Sequence, residues 1–505
     1  MARFNIVKAR RPVLGHEGAQ GVARSPKSEL FLLAVANMSG ENTFYEAAGD
    51  RDLRFAALIR TLAVQDPAWT LAFLGWLRGA ANMRSASLAG AAEASRALLD
   101  AGLPGGRRMI DAVLQRADEP GELLAYWTSR YGRAVPKPVK RGIADAAERL
   151  YTEFSLLKYD TASKGFRFAD VIDLVHPSAS TPEQGDLYRH ALERRHGRPF
   201  TPAPSLEMVH RNAALRARAV ADPSVLLDTA ALRDAGMTWE DALSLAGSRV
   251  GKAELWTALI PTMGYMALLR NLRGFDEAGV DDTVAATVAA RLADAGQVAR
   301  SRQFPFRFLA AYRAAPSLRW GHALDRALTA SLVNVPALPG RTLALVDRSG
   351  SMFGQMSARS RLTSADAAAV FGAAVAMRNP GRVDLVEFGS DSKPVTVRKG
   401  ESLLRVVDRF HNLGGTNTLD AVRRWYSGHD RVLIVTDEQA HPYQTDPGSA
   451  VPHDVPLYTW NLVGYRAGHG KTGPNRHVFG GLTDAAFRMV PLVEAGVRGG
   501  WPWNY

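Results

Sequence analysis

The chain has 505 residues, of which 46% are hydrophobic and 22% are charged. These proportions are typical of soluble globular proteins, and the length predicts two or three domains. The chain contains no cysteine, which excludes disulfide bonds and zinc sites built on thiolates. Its formal net charge of +12 favours a polyanionic partner such as nucleic acid, although high arginine usage across a whole proteome would give the same charge.

Neither the start of the chain nor its apolar runs indicate a membrane. Residues 1–11 lack the apolar core of a signal peptide, and no uninterrupted apolar run is long enough to span a bilayer. We therefore expect a cytoplasmic protein with no membrane partner. Export by a route with another kind of signal is the alternative.

The first two thirds of the chain are predicted to be helical. Apolar residues recur at spacings of three and four in residues 50–64, and Asp66 with Pro67 begins a further helix. Residues 85–101, 107–116 and 121–131 continue the series, with Gly, Pro or Asp in the turns. Antiparallel helices joined by short turns over residues 28–335 predict an α-solenoid of HEAT-like repeats. A large irregular helical bundle is the alternative.

Within this helical part, residues 135–177 are rich in basic side chains. They include a helix whose first turn is cationic, which the helix macrodipole disfavours and which indicates an external anion. The candidate cations of this stretch are Lys137, Lys140, Arg141, Lys158, Lys164 and Arg167.

A change of hydrophobic period marks a second domain. Pro336, Pro339 and Gly340 interrupt the helices. Short apolar strands are then predicted at residues 343–346, 383–388, 432–435 and 456–460, alternating with helices at 363–377, 403–410 and 419–425. This alternation predicts a doubly wound α/β sheet, which binds ligands beyond the C-terminal ends of its strands. We therefore predict two domains, residues 1–335 and 340–505.

Oxygen-bearing side chains follow two of these strands. Asp347, Ser349 and Ser351 occupy alternate positions, so an extended loop directs all three to one side. Thr416 precedes a helix, and Asp437 follows another strand. Two carboxylates would offset the charge of Mg²⁺, and neutral hydroxyls would add the further oxygen ligands that this ion prefers. We predict a divalent cation site for Mg²⁺, with an ordinary strand-to-helix turn capped by serine as the alternative.

No catalytic arrangement accompanies this cation site. The sequence contains no convincing pair of nucleophile and base, and no Walker loop. An open coordination position on the cation is expected to accept a carboxylate from a partner or to stay hydrated. We therefore predict a binding protein and not an enzyme.

Both parts of the chain resemble known families. The five oxygen-bearing residues resemble the metal-ion-dependent adhesion site of the von Willebrand factor A fold. In the helical part, the basic dipeptide 140–141 before an alanine-rich helix, the Lys-Tyr pair 158–159, a glycine-aromatic turn and the His-Pro pair 176–177 resemble the TROVE module of the Ro autoantigen family. The string Met-Ala-Leu-Leu-Arg-Asn-Leu at 266–272 and the aromatic run 304–312 are similar to a later part of that module.

The resemblance to bacterial members of the Ro family implies a fold and a set of partners. It implies an α-solenoid ring of HEAT-like helical repeats, a TROVE-like RNA-binding domain, followed and closed by an α/β doubly wound von Willebrand factor A domain. Small noncoding Y-type RNA would bind the basic outer surface, and single-stranded ends of misfolded RNA would enter the central hole. A 3′-to-5′ exoribonuclease tethered through the RNA would make the protein a scaffold in RNA quality control.

Phosphate contacts need Lys and Arg, and they give affinity that falls with salt. Lys137, Lys140 and Arg141 are the first choice for the outer surface, followed by Lys158, Lys164 and Arg167. Arg270 and Arg273, three residues apart on a helix, are expected either to line the hole or to form structural ion pairs.

At one position this chain departs from the family pattern. A polar, histidine-like residue is expected after the glycine-aromatic turn, and the chain has Phe168 there. Its ring can stack on an unpaired base. The alternative function, from a different class, is a metal-dependent protein-binding adaptor whose helical part is a docking solenoid.

Overall fold

The computed structural model describes residues 12–14, 20–22, 25–36, 48–198, 201–354, 362–437, 446–462, 475–480, 486–497, 501 and 503. These residues form two compact units. The helical unit takes the described residues of 51–285 together with Trp503, and the α/β unit takes those of 1–50 and 286–502.

The helical unit consists of short helices in series. After α1 (Pro26–Ala36), which belongs to the α/β unit, the helices are α2 (Ala48–Gln65), α3 (Pro67–Gly79), α4 (Arg84–Asp100), α5 (Gly106–Asp111), α6 (Glu119–Tyr131), α7 (Lys137–Leu150), α8 (Glu153–Tyr159), α9 (Phe168–Val175), α10 (Pro182–Arg195), α11 (Glu207–Ala221), α12 (Thr229–Asp234), α13 (Trp239–Ala246), α14 (Lys252–Leu259) and α15 (Tyr265–Ala278). The described residues from 48 to 335 contain no β-strand. The predicted helical character of this part is confirmed.

Helix α3 shows how the sequence specifies these elements. The Asp66 carboxylate accepts a hydrogen bond of 3.0 Å from the Trp69 backbone N–H and caps the helix, and Pro67 occupies its first turn. Residues Trp69, Phe73 and Leu77, spaced by four, are buried on one face. The Trp503 ring packs on this face, with its centroid 5.4 Å from that of Trp69. Capping and an apolar stripe therefore act together, as the sequence predicts.

Helix α7 carries the first-choice cations and lies very close to α5. A Cβ atom at Gly142 would lie 2.6 Å from the Arg107 carbonyl oxygen and 2.8 Å from the Ile110 Cβ. Only a residue without a side chain permits this approach. The buried face of α7 includes Val139 and Ile143, so its opposite face is turned to solvent.

The α/β unit contains a six-stranded sheet. After the short pair β1 (Pro12–Leu14) and β2 (Gln20–Val22), its strands are β3 (Thr342–Asp347), β4 (Val383–Phe388), β5 (Ser392–Pro394), β6 (Arg431–Thr436), β7 (Leu457–Asn461) and β8 (Arg476–Gly480). They lie in the order β5-β4-β3-β6-β7-β8, and all neighbours are parallel except β4 and β5. The predicted doubly wound α/β architecture is confirmed.

The remaining helices belong to this unit or lead into it. They are α16 (Asp282–Ala293), α17 (Ala295–Ser301), α18 (Pro305–Ala314), α19 (Leu318–Ala330), α20 (Ser364–Arg378), α21 (Leu403–Val407), α22 (Thr418–Trp425) and α23 (Ala486–Val497). Every residue of β3 and β6 is buried, as expected for central parallel strands. Gly372 lets α20 approach β3, because a Cβ atom there would lie 2.5 Å from a Val346 methyl group.

The predicted domain boundary at 335–340 stays a prediction. Helices before it pack within the α/β unit: the Phe304 and Phe306 rings lie 5.5 Å and 5.0 Å from the ring of Phe487. The compact units therefore divide near residue 285, before the change of hydrophobic period. Within the described part of the chain, no helix has both the length and the apolar character needed to cross a bilayer.

Candidate metal centre and nucleic-acid interface

The two aspartates of the candidate metal centre lie at one edge of the sheet. Asp347 ends β3 and Asp437 directly follows β6, and the two strands are parallel neighbours. Both carboxylates are buried. Asp347 accepts a 2.6 Å hydrogen bond from the Thr436 hydroxyl and a 2.8 Å hydrogen bond from the Ser349 backbone N–H. Thr436 was not among the predicted site residues, although its place beside Asp437 at the end of a buried strand could have suggested it.

Electrostatics around Asp347 favour a bound cation. The pKa of Asp347 is raised to about 6: burial is the main cause, the hydrogen bonds from Thr436 and Ser349 oppose it, and the negative charge of Asp437 adds a smaller increase. Two buried carboxylates that repel each other are costly unless a positive charge compensates them. A divalent cation between them would remove this cost.

The serine hydroxyls extend the oxygen cluster toward the surface. The Ser349 and Ser351 hydroxyl oxygens lie 3.2 Å apart. Ser349 is buried, whereas Ser351 is exposed. Among the described residues there is no group of three or more His, Cys, Asp and Glu side chains suited to a metal, so a cation here would depend on hydroxyl oxygens as well as on the two carboxylates. Such an oxygen-only set fits a hard ion such as Mg²⁺.

The segment that carries Thr416 is docked against the loops that follow β3 and β4. The Gly350 N–H donates to the Gly414 carbonyl at 2.7 Å, and the Gly415 N–H donates to the Ser390 hydroxyl at 2.8 Å. A Cβ atom at Gly389 would lie 2.5 Å from the Leu413 Cβ, so the contact is close. The structure therefore brings the loop of Thr416 beside the loop of Ser349 and Ser351.

The first-choice cations of the helical part lie together on α7. Lys137 and Arg141 are exposed and Lys140 is partly exposed. The first turn of α7 contains no acid, and among the described residues none of the three cations has an acidic partner within ion-pair distance. Positive charge that is neither neutralised nor buried is the feature required for phosphate contacts. We call these three residues the α7 basic surface.

Two other cations predicted to bind RNA form ion pairs with acids. Lys164 forms ion pairs with Asp118 at 3.3 Å and with Glu122 at 3.2 Å. Arg167 forms an ion pair of 2.9 Å with the buried Asp160. Both cations therefore have a structural role in this geometry, which removes them from our proposed RNA surface.

Phe168 is also placed differently from the expectation. Its side chain is buried, and its ring is stacked on that of Tyr151 with centroids 3.8 Å apart. The backbone N–H of Phe168 donates to the Asp160 carboxylate at 2.8 Å. Because the Phe168 side chain is buried, its ring has no open face for a base. Its contact with Tyr151 instead packs the start of α9.

Lys158 lies beside two aromatic rings of α8, and the half-buried Arg116 contacts one of them from the segment after α5. Its ammonium group lies 5.5 Å from the centroid of Phe154 and 5.3 Å from that of Tyr159, and the Arg116 guanidinium lies 5.5 Å from Tyr159. Phe154 is 48% exposed. The sequence interpretation missed Phe154, although its position four residues before Lys158 puts both on one helical face.

The two arginines of α15 differ from each other. Arg273 is exposed and forms an ion pair of 2.7 Å with Glu277, one turn further along the helix. Arg270 is exposed and forms no ion pair in the described structure. The sequence left two alternatives for these arginines, lining a hole or forming structural ion pairs. Arg273 forms an ion pair.

Comparisons with known proteins bear on both units. Residues 233–320 match the family model described as TROVE domain. Telomerase protein component 1 of Mus musculus and that of Rattus norvegicus are each 43% identical to this chain over 77 residues, which is 15% of this chain and 3% of each relative. The crystal structure of the Deinococcus radiodurans RO (RSR) protein superposes with a TM-score of 0.72 at 20% identity, over 94% of this chain and 100% of that one.

The family match and the fold together describe a chain with a TROVE-domain match at residues 233–320 and a C-terminal α/β unit with the architecture of a von Willebrand factor A domain. The predicted resemblance to the Ro family is confirmed: the chain contains a TROVE domain and has the fold of a bacterial Ro protein. The matched residues 233–320 include the string at 266–272 and the aromatic run at 304–312, whereas residues 135–177 lie outside the match. The chain spans only 3% of the length of the telomerase relatives.

Proposed function

We propose that this protein binds RNA without altering it chemically, through cations of its helical unit. The observation that carries the proposal is the α7 basic surface, three neighbouring cations with no acidic partner in the described structure of a TROVE-domain protein. Residues Lys158 and Arg270 are the further candidates, together with the exposed ring of Phe154. Cations beside an exposed aromatic ring suit a phosphate backbone with an unpaired base.

The RNA in this proposal is a small noncoding RNA of the Y type. Its folded stem would lie on the α7 basic surface, because phosphate contacts recognise a backbone and not a base sequence. Single-stranded ends of misfolded RNA, a central hole that admits them and a 3′-to-5′ exoribonuclease tethered through the RNA extend the proposal on the strength of the family resemblance. A cytoplasmic location belongs to the same proposal.

The proposal includes a divalent cation, preferably Mg²⁺, in the α/β unit. Asp347, Ser349, Ser351, Thr416 and Asp437 are the residues that would hold it. A bound cation supplies a coordination position that takes a carboxylate of a partner or a water molecule. The exposure of Ser351 supports access for such a partner, so the α/β unit would recruit protein while the helical unit holds RNA.

One salt titration tests the RNA proposal. We would measure binding of a small folded RNA to the full chain at about 0.1 M and about 0.3 M salt, for the parent and for Lys137, Lys140 and Arg141 changed together to Ala. We expect the variant to bind about 10- to 100-fold more weakly at the lower salt, with a salt dependence shallower by about two to three counterions.

A control variant carries the same change of charge. Arg189, Arg195 and Arg211 are exposed cations of the helical unit, and each is paired with an acid. Changing all three to Ala should leave RNA affinity within about twofold of the parent, since these charges are already neutralised. If both variants lost RNA affinity equally, the loss would come from the change in net charge and not from the α7 basic surface. If neither variant lost RNA affinity, the metal-dependent protein-binding adaptor would be favoured.

A further inference from the structure

Arg348 is a buried arginine next to the candidate metal centre. It lies between Asp347 and Ser349, and it is only 7% exposed. Its Nε donates to the His411 carbonyl at 2.9 Å, and its Nη1 donates to the Ala365 carbonyl at 2.8 Å. The guanidinium lies over two rings, 4.8 Å from the centroid of Phe353 and 5.6 Å from that of Phe410. This group therefore contacts three segments: the turn of Phe353, the start of α20 at Ala365, and the pair Phe410 and His411.

The charge of Arg348 is costly to bury. Burial lowers its pKa, and the carboxylates of Glu387, Asp366 and Asp347 offset part of that effect. Glu387 is 2% exposed, and it accepts hydrogen bonds of 2.7 Å from the His411 backbone N–H and from its ring Nδ1. A buried cation and a buried acid thus hold the same residue, His411, from two sides.

The segments that Arg348 joins are those that carry the oxygen ligands. Arg348 itself belongs to the loop of Ser349 and Ser351, and its backbone carbonyl accepts from the Leu413 N–H at 2.8 Å. His411 begins the segment that leads to Thr416. Ala365 lies in the first turn of α20, which packs against β3. The guanidinium therefore connects both ligand-bearing loops to the helix that packs on the sheet.

We propose that Arg348 is a positioning residue of the metal centre, which sets cation affinity by fixing the Thr416 segment relative to Ser349 and Ser351. This inference rests on the proposed cation site. A planar guanidinium holds its donors in a rigid fork and stacks on aromatic faces, whereas an ammonium group is a compact, strongly hydrated point charge on a flexible stem. Groups that orient ligands in this indirect way typically change metal affinity by about 10- to 100-fold when altered.

The test is Mn²⁺ binding to the full chain, by titration calorimetry or electron paramagnetic resonance, well below the unfolding temperature. Arg348→Lys should weaken Mn²⁺ binding by about 10- to 100-fold while the circular dichroism spectrum stays that of the parent. The control is Arg424→Lys, an exposed arginine of the same unit that lies over the Trp425 ring. It should bind Mn²⁺ within about twofold of the parent.

The outcomes separate this inference from the proposed cation site. If the parent binds no Mn²⁺, the cation site is refuted and this inference falls with it. If Arg348→Lys lowers thermal stability but binds Mn²⁺ as the parent does, Arg348 only supports the fold and the inference is wrong, while the cation site stands. Should that variant not fold, Phe410→Leu removes one stacked ring and leaves the hydrogen bonds; a loss of about threefold or more supports the inference, and unchanged affinity overturns it.

Discussion

The two candidate sites hold their charges in opposite ways. The acids of the metal centre are buried, with Asp347 hydrogen-bonded to Thr436 and Ser349. The cations of the α7 basic surface are at least partly exposed, and none of them forms an ion pair in the described structure. A buried charge cluster is specific for a small ion that can replace its lost hydration, whereas an exposed one suits a large and mobile polyanion. In the proposed function, burial would select the ion and exposure would attract the RNA.

The cations within the helical unit show a second contrast. Lys140 and Lys164 look alike in sequence, yet Lys164 is paired with Asp118 and Glu122 and Lys140 has no such partner in the described structure. Asp118 comes from a segment 46 residues before Lys164. Residues that meet only in the folded chain therefore decide which cation is available.

The largest expected effect is a loss of cation affinity at the candidate metal centre. Asp347→Asn keeps the shape and the acceptor for the Ser349 N–H but removes the negative charge, so we expect divalent cation affinity to fall by at least about 100-fold. RNA affinity should stay within about twofold, because the RNA is assigned to the other unit. Calorimetry with Mn²⁺ measures the cation affinity, and an RNA binding assay on the same preparation measures the RNA affinity. Asp408→Asn, an exposed acid of the α/β unit, is the control, and a joint loss of cation and RNA binding would contradict the division between sites.

The second effect concerns the packing that presents the α7 basic surface. Gly142→Ala places a methyl group against the Arg107 carbonyl oxygen, so we expect the free energy of unfolding to fall by about 2 to 3 kcal/mol. Gly75→Ala is the matched control, since nothing lies within 4 Å of a Cβ atom there, and it should be neutral or stabilising by up to about 1 kcal/mol. Urea unfolding of both variants measures the difference, and equal stabilities would mean that α5 and α7 are less closely packed than described.

The smallest effect concerns the ion pairs around Asp118, one of which is formed by Lys164. Burial opposes ionisation of Asp118, but the Arg116 hydrogen bond and charge, with Arg84 and Lys164, lower its pKa to about 2. A carboxylate with a lowered pKa stabilises the fold fully above its unfolded pKa of about 4 and loses that contribution as the pH falls through about 2. The parent should therefore lose about 1 to 2 kcal/mol more than Asp118→Asn between pH values of about 4 and about 2. Urea unfolding across this range is the measurement, and parallel pH profiles would contradict the ion-pair network.

The α/β unit shows what hydrophobic pattern can and cannot predict. The strands β3, β4, β6 and β7 were predicted because each is a mostly apolar run with turn residues around it. The strands β5 and β8 were missed: β5 is a three-residue edge strand with Lys393 and Pro394, and β8 opens with Arg476 and His477. Edge position and polar composition removed the pattern on which the prediction depends.

The candidate sites show the same difference between what sequence pattern predicts and what it misses. Asp347, Ser349 and Ser351 could be proposed together because their spacing follows from the strand that precedes them. Thr436 and Arg348 went unnoticed, since their roles depend on side-chain contacts across the sheet edge and between loops. Phe168 was assigned to RNA from its place in a motif, and only the stacked ring of Tyr151 shows why the fold needs an aromatic residue there.

The cationic first turn of α7 has a consequence for the dynamics of the protein. Lys137 and Lys140 face the positive end of the helix dipole, no side chain caps that end, and each charge costs about 0.3 to 1 kcal/mol. The free helix is therefore expected to fray from this end, with rapid amide hydrogen exchange in its first turn. Phosphate groups bound there would reverse the sign of the field, so that occupancy by RNA would slow exchange and the ligand would complete the helix that binds it.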